Sequence, residues 1–500
     1  MSSIRRQSIF STLIIYAGFL VGLLNIYLFT KQGLFTKEEF GLYNVFIAIA
    51  LLMAAVANLG TPYFIYKFFP YYQQHLPAKK NDQLTIALVI AGAGFLILLA
   101  AGHWMEPLVI RKFSGNAPSL VKYYQWIYPL GAGLLLFNVL EAWAWQQRMS
   151  TGSNFLKEGV WRLFTFLLIL AFMAGWIHKY DLFIKVFSFS YPFIAIVLLW
   201  WLAANKKFSL TQKISPVSKR LAKPIVGYTS FTYAGTLIFT LAQVFDSILI
   251  ASVLENAMVQ VAIYSFSQNM AAIIQAPQRG IVAASMAPLS KAWKEKDLST
   301  IGRIYQRSSI NQLLFAFALF GLILLNFTDA IATFRLESAY INGLTVFFLL
   351  GLTRLVDMGT GVNSQIIVTS PGWRFEFYSG IILLLSMLPL SYLLTKEYGI
   401  VGTAVAQLIA IVLYNMIRIL FLFVKFRLQP FSRNTVKTVL LAICSVLLVR
   451  FLFIEQSGWV SLFARSTLFI VLYITGVWTM RLSPDLEPVW KSLLKRFQKK

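Results

Sequence analysis

The chain contains a long succession of apolar segments, each of which could cross a lipid bilayer as a helix. A bilayer core about 30 Å thick needs roughly 20 apolar residues at a rise of about 1.5 Å per residue, and on this criterion a window of about 19 residues predicts about fourteen spans. The predicted spans are residues 9–30, 40–62, 84–105, 120–144, 159–177, 182–203, 225–251, 258–288, 310–332, 340–366, 375–395, 399–424, 435–454 and 459–480. Hydrophobic residues make up 58% of the chain and charged residues only 13%, whereas a soluble domain has about 25% charged residues. The sequence therefore predicts an all-α polytopic membrane protein.

The basic residues lie mostly on one side of the predicted spans. With the N-terminus in the cytoplasm, 30 of the 44 Lys and Arg residues fall in inner loops and adjoining span ends and 11 fall on the outer side. The remaining three, Arg279, Arg354 and Arg418, lie within spans. Cytoplasmic loops of membrane proteins carry such an excess of positive charge, so we expect both termini in the cytoplasm. Topology thus accounts for the formal net charge of +25, and no nucleic-acid partner is expected.

Two halves of the chain share short motifs in the same order. Tyr16-Ala17-Gly18 of the first span has a counterpart in Tyr233-Ala234-Gly235 of the seventh, and residues 40–44 have one in residues 261–265. Because six spans per repeat is an even number, the two lobes are predicted to share one orientation and to be related by a pseudo-two-fold axis along the membrane normal. The predicted organisation is an N-terminal six-helix lobe at 1–204, a cytoplasmic linker at 205–224, a C-terminal six-helix lobe at 225–428, two extra transmembrane helices at 429–482 and a basic cytoplasmic tail at 483–500.

Ionisable and amide side chains inside the predicted spans are the candidate functional residues, because a charge at the bilayer centre costs about 2.5–3.5 kcal/mol on insertion scales. Arg354 lies about 21 Å into the tenth span and shares a helix face with Asp357, three residues later. Gln268, Gln275 and Arg279 are spaced by seven and four residues, which predicts one polar stripe on the eighth span. The predicted substrate-binding residues are Arg354, Arg279, Asp246, Asp357, Gln268, Gln275, Asn363, Glu141 and Arg162.

A second polar cluster lies near the inner ends of the fourth and fifth spans, where Glu141, Glu158 and Arg162 occur. Glu158 and Arg162 are four residues apart, a spacing at which ion pairs form on a helix. The cluster is either a substrate contact or a local ion pair at the membrane interface. In the first outer loop, Glu38 and Glu39 are expected to cap the second helix, because carboxylates favour a helix N-terminus.

The residue types of these candidates indicate a class of ligand. Arg presents a planar fork of N–H donors to phosphate oxygens and stays protonated when partly desolvated, so Arg279 and Arg354 suit a pyrophosphate, while amide and aromatic side chains suit attached sugars. Asp246 and Asp357 would balance these charges or take a coupling cation, which leaves coupling to Na⁺ or H⁺ open. The single cysteine, Cys444, and the three scattered histidines have no metal-ligand spacing. We therefore expect no metal and no cofactor.

Two sequence blocks carry a resemblance to a known family. The first is residues 35–44 (FTKEEFGLYN) with 58–62 (NLGTP), and the second is 246–250 (DSILI) with 262–265 (AIYS) and 287–290 (APLS). In these blocks and in its number of spans, the chain resembles the polysaccharide or O-antigen flippases of the multidrug/oligosaccharidyl-lipid/polysaccharide exporter superfamily.

The resemblance implies two six-helix lobes that work by alternating access in the bacterial inner membrane. The implied substrate is an undecaprenyl-pyrophosphate-linked oligosaccharide, such as an O-antigen, capsule or exopolysaccharide unit, carried from the cytoplasmic to the outer leaflet. Cavity arginines engage the headgroup phosphates in such flippases, and Arg279 and Arg354 are the candidates here. The implied partners are the lipid-linked oligosaccharide and membrane lipids. Whether a polysaccharide polymerase or export machinery is also a partner stays open.

Other functions remain as alternatives. A multidrug/cation antiporter of the same superfamily would favour a cavity dominated by carboxylates, whereas here two arginines are balanced by Asp246 and Asp357. Lipid II is an alternative substrate within the flippase class. A polytopic glycosyltransferase is disfavoured, because all outer loops are short and no soluble domain is inserted. We therefore predict a transporter without enzymatic activity.

Overall fold

The computed structural model describes residues 3–453, 458–483 and 485, and its regular elements in these ranges are helices. The chain divides into two compact units, Met1–Ala262 and Ile263–Lys500. The α-helices that begin in the first unit are α1 (Ser3–Thr30), α2 (Lys37–Ala57), α3 (Thr61–His75), α4 (Gln83–Phe113), α5 (Pro118–Lys122), α6 (Ile127–Gln146), α7 (Ser150–Asn154), α8 (Trp161–Met173), α9 (Tyr180–Phe187), α10 (Ser190–Ala204), α11 (Pro216–Val253) and α12 (Ala257–Ile274). Those of the second unit are α13 (Gln278–Lys294), α14 (Leu298–Thr333), α15 (Leu344–Gly359), α16 (Asn363–Thr369), α17 (Arg374–Phe426), α18 (Arg433–Leu452) and α19 (Trp459–Thr479).

Short helical turns of other types complete the secondary structure. A π-helical turn, Phe155–Val160, joins α7 to α8, and 3-10 turns occupy Ala78–Lys80, Tyr124–Trp126 and Ser338–Gly343. The predicted basic tail at 483–500 lies outside the described residues, apart from positions 483 and 485. Positions 454–457, within the predicted pair of extra helices, also lie outside them.

The helices confirm the predicted all-α membrane fold. Eleven helices of the described ranges are long and apolar enough to cross a membrane, and Ala17–Thr30 is a shorter apolar helix. Each predicted span falls on helical residues over most of its length. The predicted spans 375–395 and 399–424 both lie in α17, which is interrupted at Gly399 with φ 59° and ψ −144°. The count of fourteen spans and the boundaries of the six-helix lobes stay predictions.

The segment between the second and third predicted spans contains a helix that the span prediction lacks. α3 begins directly after Gly60, whose φ of 80° turns the chain. Pro62 lies in the first turn of α3, where its fixed φ and missing N–H are well tolerated. The helix is rich in aromatic residues but only 15 residues long, so it is too short for a window built to find complete spans.

Several predicted spans are divided in the structure, and two of these breaks lie in the second unit. The predicted span 258–288 consists of α12 and α13, and Pro277 is the N-cap of α13, because proline cannot donate the hydrogen bond that a continuous helix needs. The predicted span 340–366 is divided between α15 and α16, where Gly361 has a φ of 65°. A Cβ atom on Gly361 would lie 2.9 Å from the backbone nitrogen of Ser309. Both the backbone conformation and the space at this break therefore require glycine.

α2 packs against α4, α6 and α11 in the first unit. It begins with the acidic cap that the sequence predicts: the Thr36 hydroxyl accepts from the Glu39 N–H at 3.2 Å, and the Glu39 carboxylate accepts from the Thr36 N–H at 2.8 Å. This reciprocal pair is a capping box. One turn into α2, a Cβ atom on Gly41 would overlap the carbonyl oxygen of Met258 in α12, so this close approach of two helices depends on glycine.

A buried carboxylate anchors the linker between α10 and α11 to the first unit. The Asp82 Oδ2 atom accepts hydrogen bonds from the Ser215 N–H at 2.8 Å and from the Ser218 hydroxyl at 2.7 Å. The Tyr72 hydroxyl of α3 lies 2.7 Å from the same Ser218 oxygen. Ser215 is the N-cap of α11. The second half of the predicted linker 205–224 is therefore the first part of α11, and the start of α11 is held by Tyr72 of α3 and by Asp82, the N-cap of α4.

The two C-terminal helices pack on α14 of the second unit. Arg465 of α19 donates to the Leu325 carbonyl at 2.7 Å and to the Ser461 hydroxyl at 2.9 Å. Its Nη2 atom lies 3.5 Å from the Asp329 carboxylate, and both side chains of this ion pair are buried. Removing one partner of such a pair would leave an uncompensated buried charge, so the pair fixes how α19 lies against α14.

Candidate functional site

A polar network in the second unit is centred on Asp357, near the end of α15. Its Oδ2 atom accepts hydrogen bonds from the side-chain amides of Gln275 at 3.1 Å and Gln278 at 3.3 Å. Its Oδ1 atom accepts from the Asn415 amide of α17 at 3.4 Å. Gln275 and Gln278 flank the break between α12 and α13. Asp357 therefore satisfies its carboxylate oxygens with amide donors, as a carboxylate in an apolar helix must, and it joins this break to α15.

Asn415 continues the network to the second helix break. Its Oδ1 atom accepts from the Thr360 hydroxyl at 2.9 Å and from the Asn363 amide at 2.8 Å. The Asn363 amide also donates to the Thr360 hydroxyl at 3.1 Å. These three side chains are buried, and each finds its partners within the protein. The break between α15 and α16 is thus held to α17 by amide and hydroxyl groups.

Arg418 ends the network on α17. It donates to the Asn363 side-chain oxygen at 3.5 Å and also to the Glu376 carboxylate and the Tyr414 hydroxyl. Its guanidinium lies 3.8 Å from the centroid of the Tyr414 ring. The Ser364 hydroxyl donates to the same Glu376 oxygen at 2.8 Å. The Arg418 side chain is 5% exposed and that of Glu376 is 15% exposed, so this is a buried ion pair with additional hydrogen bonds.

Sequence reasoning found part of this network. Gln275, Asp357 and Asn363 are predicted site residues, and the structure brings all three together. Arg418 and Glu376 are not among the predicted residues. Arg418 could have been noticed in the sequence, because it is one of the three basic residues within predicted spans that were assigned to neither side of the membrane. Glu376 lies at the edge of a predicted span, where charged residues are common. Its position therefore did not indicate a functional role.

The other predicted residues of the second unit have different surroundings. Gln268 is half-buried on α12, Arg279 is exposed in the first turn of α13, and Arg354 is half-buried on α15, one turn before Asp357. Because α12 and α13 are separate helices, the prediction of one continuous polar stripe was wrong. The proline at the start of α13 ends the regular spacing on which that stripe was based. The roles of these residues in substrate binding stay predictions.

The first unit contains the second predicted cluster. The Arg162 guanidinium donates to the Glu158 carboxylate at 2.6 Å, which confirms the expected ion pair between residues four apart. Glu141 of α6 instead pairs with Lys157, at 3.0 Å between Nζ and Oε2. Asn25 of α1 donates to the Arg162 carbonyl at 2.9 Å, as expected of an amide that joins two membrane helices. Lys157 lies in the π-helical turn, whose altered register the sequence spacing did not indicate.

Asp246, the remaining predicted residue, is buried on α11. In the part of the chain that the structure describes, no group of three or more His, Cys, Asp and Glu side chains is placed to hold a metal ion. The polar clusters consist instead of guanidinium, ammonium, carboxylate, amide and hydroxyl groups held at helix breaks and helix ends. Such groups can bind anions and sugar hydroxyls, and they can hold broken helices in defined arrangements.

The sequence matches the family model described as "Polysaccharide biosynthesis protein" over residues 4–292. This match covers more than half of the 500 residues. The chain belongs to this family. Among curated protein sequences, no match is found.

Solved structures that are similar to this chain include membrane transporters. The chain is similar to the lipid II flippase MurJ in an inward closed conformation, with a TM-score of 0.72 and 14% identity over 94% of this chain and 98% of that one. It is also similar to a multidrug resistance MATE family transporter of the MOP superfamily in an inward-facing conformation, with a TM-score of 0.65 and 12% identity over 83% of this chain and 96% of that one. At these identities the similarity establishes the fold. The chain is a multi-pass membrane protein with the fold shared by MurJ and MATE transporters.

Proposed function

We propose that this chain flips an undecaprenyl-pyrophosphate-linked oligosaccharide from the cytoplasmic to the outer leaflet of the bacterial inner membrane by alternating access. The observation that carries the proposal is the set of hydrogen-bonded charged and amide side chains at two helix breaks, between α12 and α13 and between α15 and α16. Transporters build substrate and ion sites from such discontinuous helices, because irregular backbone at membrane depth is tolerated only inside protein or beside a water-filled cavity. The family supports a substrate from polysaccharide synthesis.

The arginines of the second unit are the proposed ligands of the pyrophosphate. Arg354 is half-buried within an apolar helix, and Arg279 is exposed at the start of α13. A guanidinium remains charged when it is partly desolvated and can bind two phosphate oxygens at once. Gln268 and Asp246 are proposed to contact the same headgroup region. We propose no catalytic residue, because translocation changes no covalent bond of the substrate.

A second candidate function is a multidrug/cation antiporter. Asp357 places a carboxylate inside an apolar helix with only amide partners among the hydrogen bonds described above, and a negative charge in such a position suits a cationic drug or a coupling cation. Lipid II is a further alternative substrate for the flippase. In either case we propose that a gradient of Na⁺ or H⁺ drives transport.

The experiment uses the full chain in proteoliposomes and compares three substrates: a fluorescent undecaprenyl-pyrophosphate oligosaccharide, fluorescent lipid II and a cationic dye. Each is measured with and without an imposed Na⁺ or H⁺ gradient. The variants are Arg354→Ala and Arg279→Ala, with Arg303→Ala as the matched control because Arg303 is exposed on α14. Each charge-assisted hydrogen bond is worth about 1.5–3 kcal/mol, so we expect each of the first two variants to lower the flipping rate at least about tenfold.

Transport of the oligosaccharide carrier that is lost in both arginine variants and kept in Arg303→Ala supports the proposal and its site. Transport that survives both substitutions contradicts the proposed arginine ligands but is still consistent with the flippase function. Export of the cationic dye without movement of either lipid carrier would replace the flippase by the antiporter. Faster flipping of lipid II than of the oligosaccharide carrier would identify lipid II as the substrate.

A further inference from the structure

Three aromatic side chains form a row on the surface of the first unit. Tyr63 and Tyr66 of α3 have ring centroids 6.2 Å apart, and Tyr66 lies 5.8 Å from Trp145 of α6, with the rings inclined by 32°. The Trp145 side chain is 44% exposed, and its indole N–H donates to the Ser153 hydroxyl at 3.0 Å. Trp145 is therefore held in place by its indole N–H while much of its aromatic surface stays accessible.

Ionised groups lie beside this row. Glu141, one turn before Trp145 on α6, pairs with Lys157, and the side chains are 8% and 37% exposed. The second carboxylate oxygen of Glu141, Oε1, is buried and has no hydrogen-bond partner among the described residues. Tyr66 lies within electrostatic reach of Glu141. Charged groups do not face hydrocarbon tails, so this surface differs from the apolar faces that contact lipid.

The combination fits a carbohydrate. A sugar ring presents an apolar face of C–H groups that stacks on an aromatic ring, while the hydroxyl groups at its edge need hydrogen-bond donors and acceptors. Tyr and Trp combine an apolar face with a polar edge, a carboxylate oxygen accepts from a hydroxyl, and an ammonium donates to one. A cationic ligand is disfavoured, because Lys157 already neutralises Glu141.

The row also lies on the side from which a substrate would load. In the predicted topology, α3 follows a span that ends in the cytoplasm, and Trp145 lies at the cytoplasmic end of its span. The Trp143 indole N–H donates to the carbonyl of Lys207 in the linker at 2.8 Å. This bond places the end of α6 beside the segment predicted to be cytoplasmic.

We propose that Tyr63, Tyr66 and Trp145, with Glu141 and Lys157 beside them, form a carbohydrate subsite of the first unit. The subsite holds sugar rings of the lipid-linked oligosaccharide on the cytoplasmic side before translocation. The inference rests on the proposed flippase function and deepens it, because it separates recognition of the glycan from recognition of the pyrophosphate.

The test measures dissociation constants for the full-length protein in lipid nanodiscs. The probes are undecaprenyl pyrophosphate without sugar and the same carrier bearing GlcNAc, glucose or galactose. The variants are Tyr66→Leu, Trp145→Leu and Trp145→Phe, with Trp200→Leu as the control because Trp200 is a largely exposed residue of α10. We expect the two leucine variants of the row to bind the best sugar-bearing carrier about tenfold more weakly, while their affinity for the bare carrier changes less than about twofold. Trp145→Phe and Trp200→Leu should remain close to the wild type.

The outcomes separate this inference from the proposed function. Wild-type protein that binds every sugar-bearing carrier no better than the bare carrier overturns the subsite, even when flipping is intact. Leucine variants that weaken both carriers equally also overturn it, because the row is then only structural. Wild-type protein that binds neither carrier and flips neither overturns the flippase proposal as well. Selective loss of affinity for the sugar-bearing carrier supports the subsite.

Discussion

The buried ion pair between Arg418 and Glu376 allows a quantitative prediction about the polar network of the second unit. In Arg418→Leu, the nearly buried Glu376 carboxylate keeps the Ser364 hydroxyl as a donor at 2.8 Å but loses its cation. Removing one partner of a buried ion pair costs about 3–5 kcal/mol. The lost guanidinium contact with the Tyr414 ring, at 3.8 Å from its centroid, adds about 1 kcal/mol. We therefore expect Arg418→Leu to lower the free energy of unfolding by about 4–6 kcal/mol.

The double variant distinguishes a pair effect from general damage to packing. Glu376→Leu alone should cost about 3 kcal/mol, because Arg418 keeps the Tyr414 hydroxyl and the Asn363 oxygen as acceptors. In Arg418→Leu/Glu376→Leu no unpaired charge is buried, so the total cost should fall below that of Arg418→Leu. The coupling energy of the cycle should then be at least about 2 kcal/mol.

The assay is equilibrium unfolding in mixed micelles by titration with SDS, followed by the fluorescence of the 13 tryptophans. The matched control is a cycle on Lys291 and Glu295, an ion pair of the same unit at 3.8 Å whose side chains are 75% and 56% exposed. For this exposed pair we expect a coupling energy below about 0.5 kcal/mol. If the Arg418 and Glu376 substitutions add within about 0.5 kcal/mol, the reasoning about the buried pair is refuted.

Three further predictions concern local contacts of the first unit. Asp82→Ala removes the hydrogen-bond acceptor at the start of α11, so trypsin should cleave the linker faster than in the wild type. Asp82→Asn should be cleaved at an intermediate rate. An unchanged cleavage rate in Asp82→Ala would contradict the anchoring role of Asp82. In Gly41→Ala the added Cβ atom would overlap the Met258 carbonyl oxygen, so this variant should unfold at a lower SDS concentration than the wild type. The control Gly115→Ala, whose Cβ atom would lie in open space, should unfold like the wild type. Thr36→Ala breaks the capping box and should cost about 1 kcal/mol in the same titration, and recovery in Thr36→Ser would show that the hydroxyl is responsible.

The predicted site illustrates which interactions the sequence can indicate. The pair between Glu158 and Arg162 was predicted correctly, because a spacing of four residues on a helix places side chains together whatever the rest of the fold does. The pair between Glu141 and Lys157 was missed, because it joins two helices through a π-helical turn. The prediction of a polar stripe through Gln275 and Arg279 was wrong for a related reason, because it assumed one regular helix where the chain has two.

The membrane class, the position of the apolar segments and the capping of α2 were determined by the sequence itself. These features depend on local composition and spacing: an apolar stretch of sufficient length partitions into lipid, and a capping box needs only residues three apart. The tertiary structure alone decided which polar groups are neighbours. Asp357 takes donors from Gln275 and Asn415, which are 82 and 58 residues away in the sequence. No local pattern specifies such partners, because they are chosen by how the helices pack and by where proline and glycine break them.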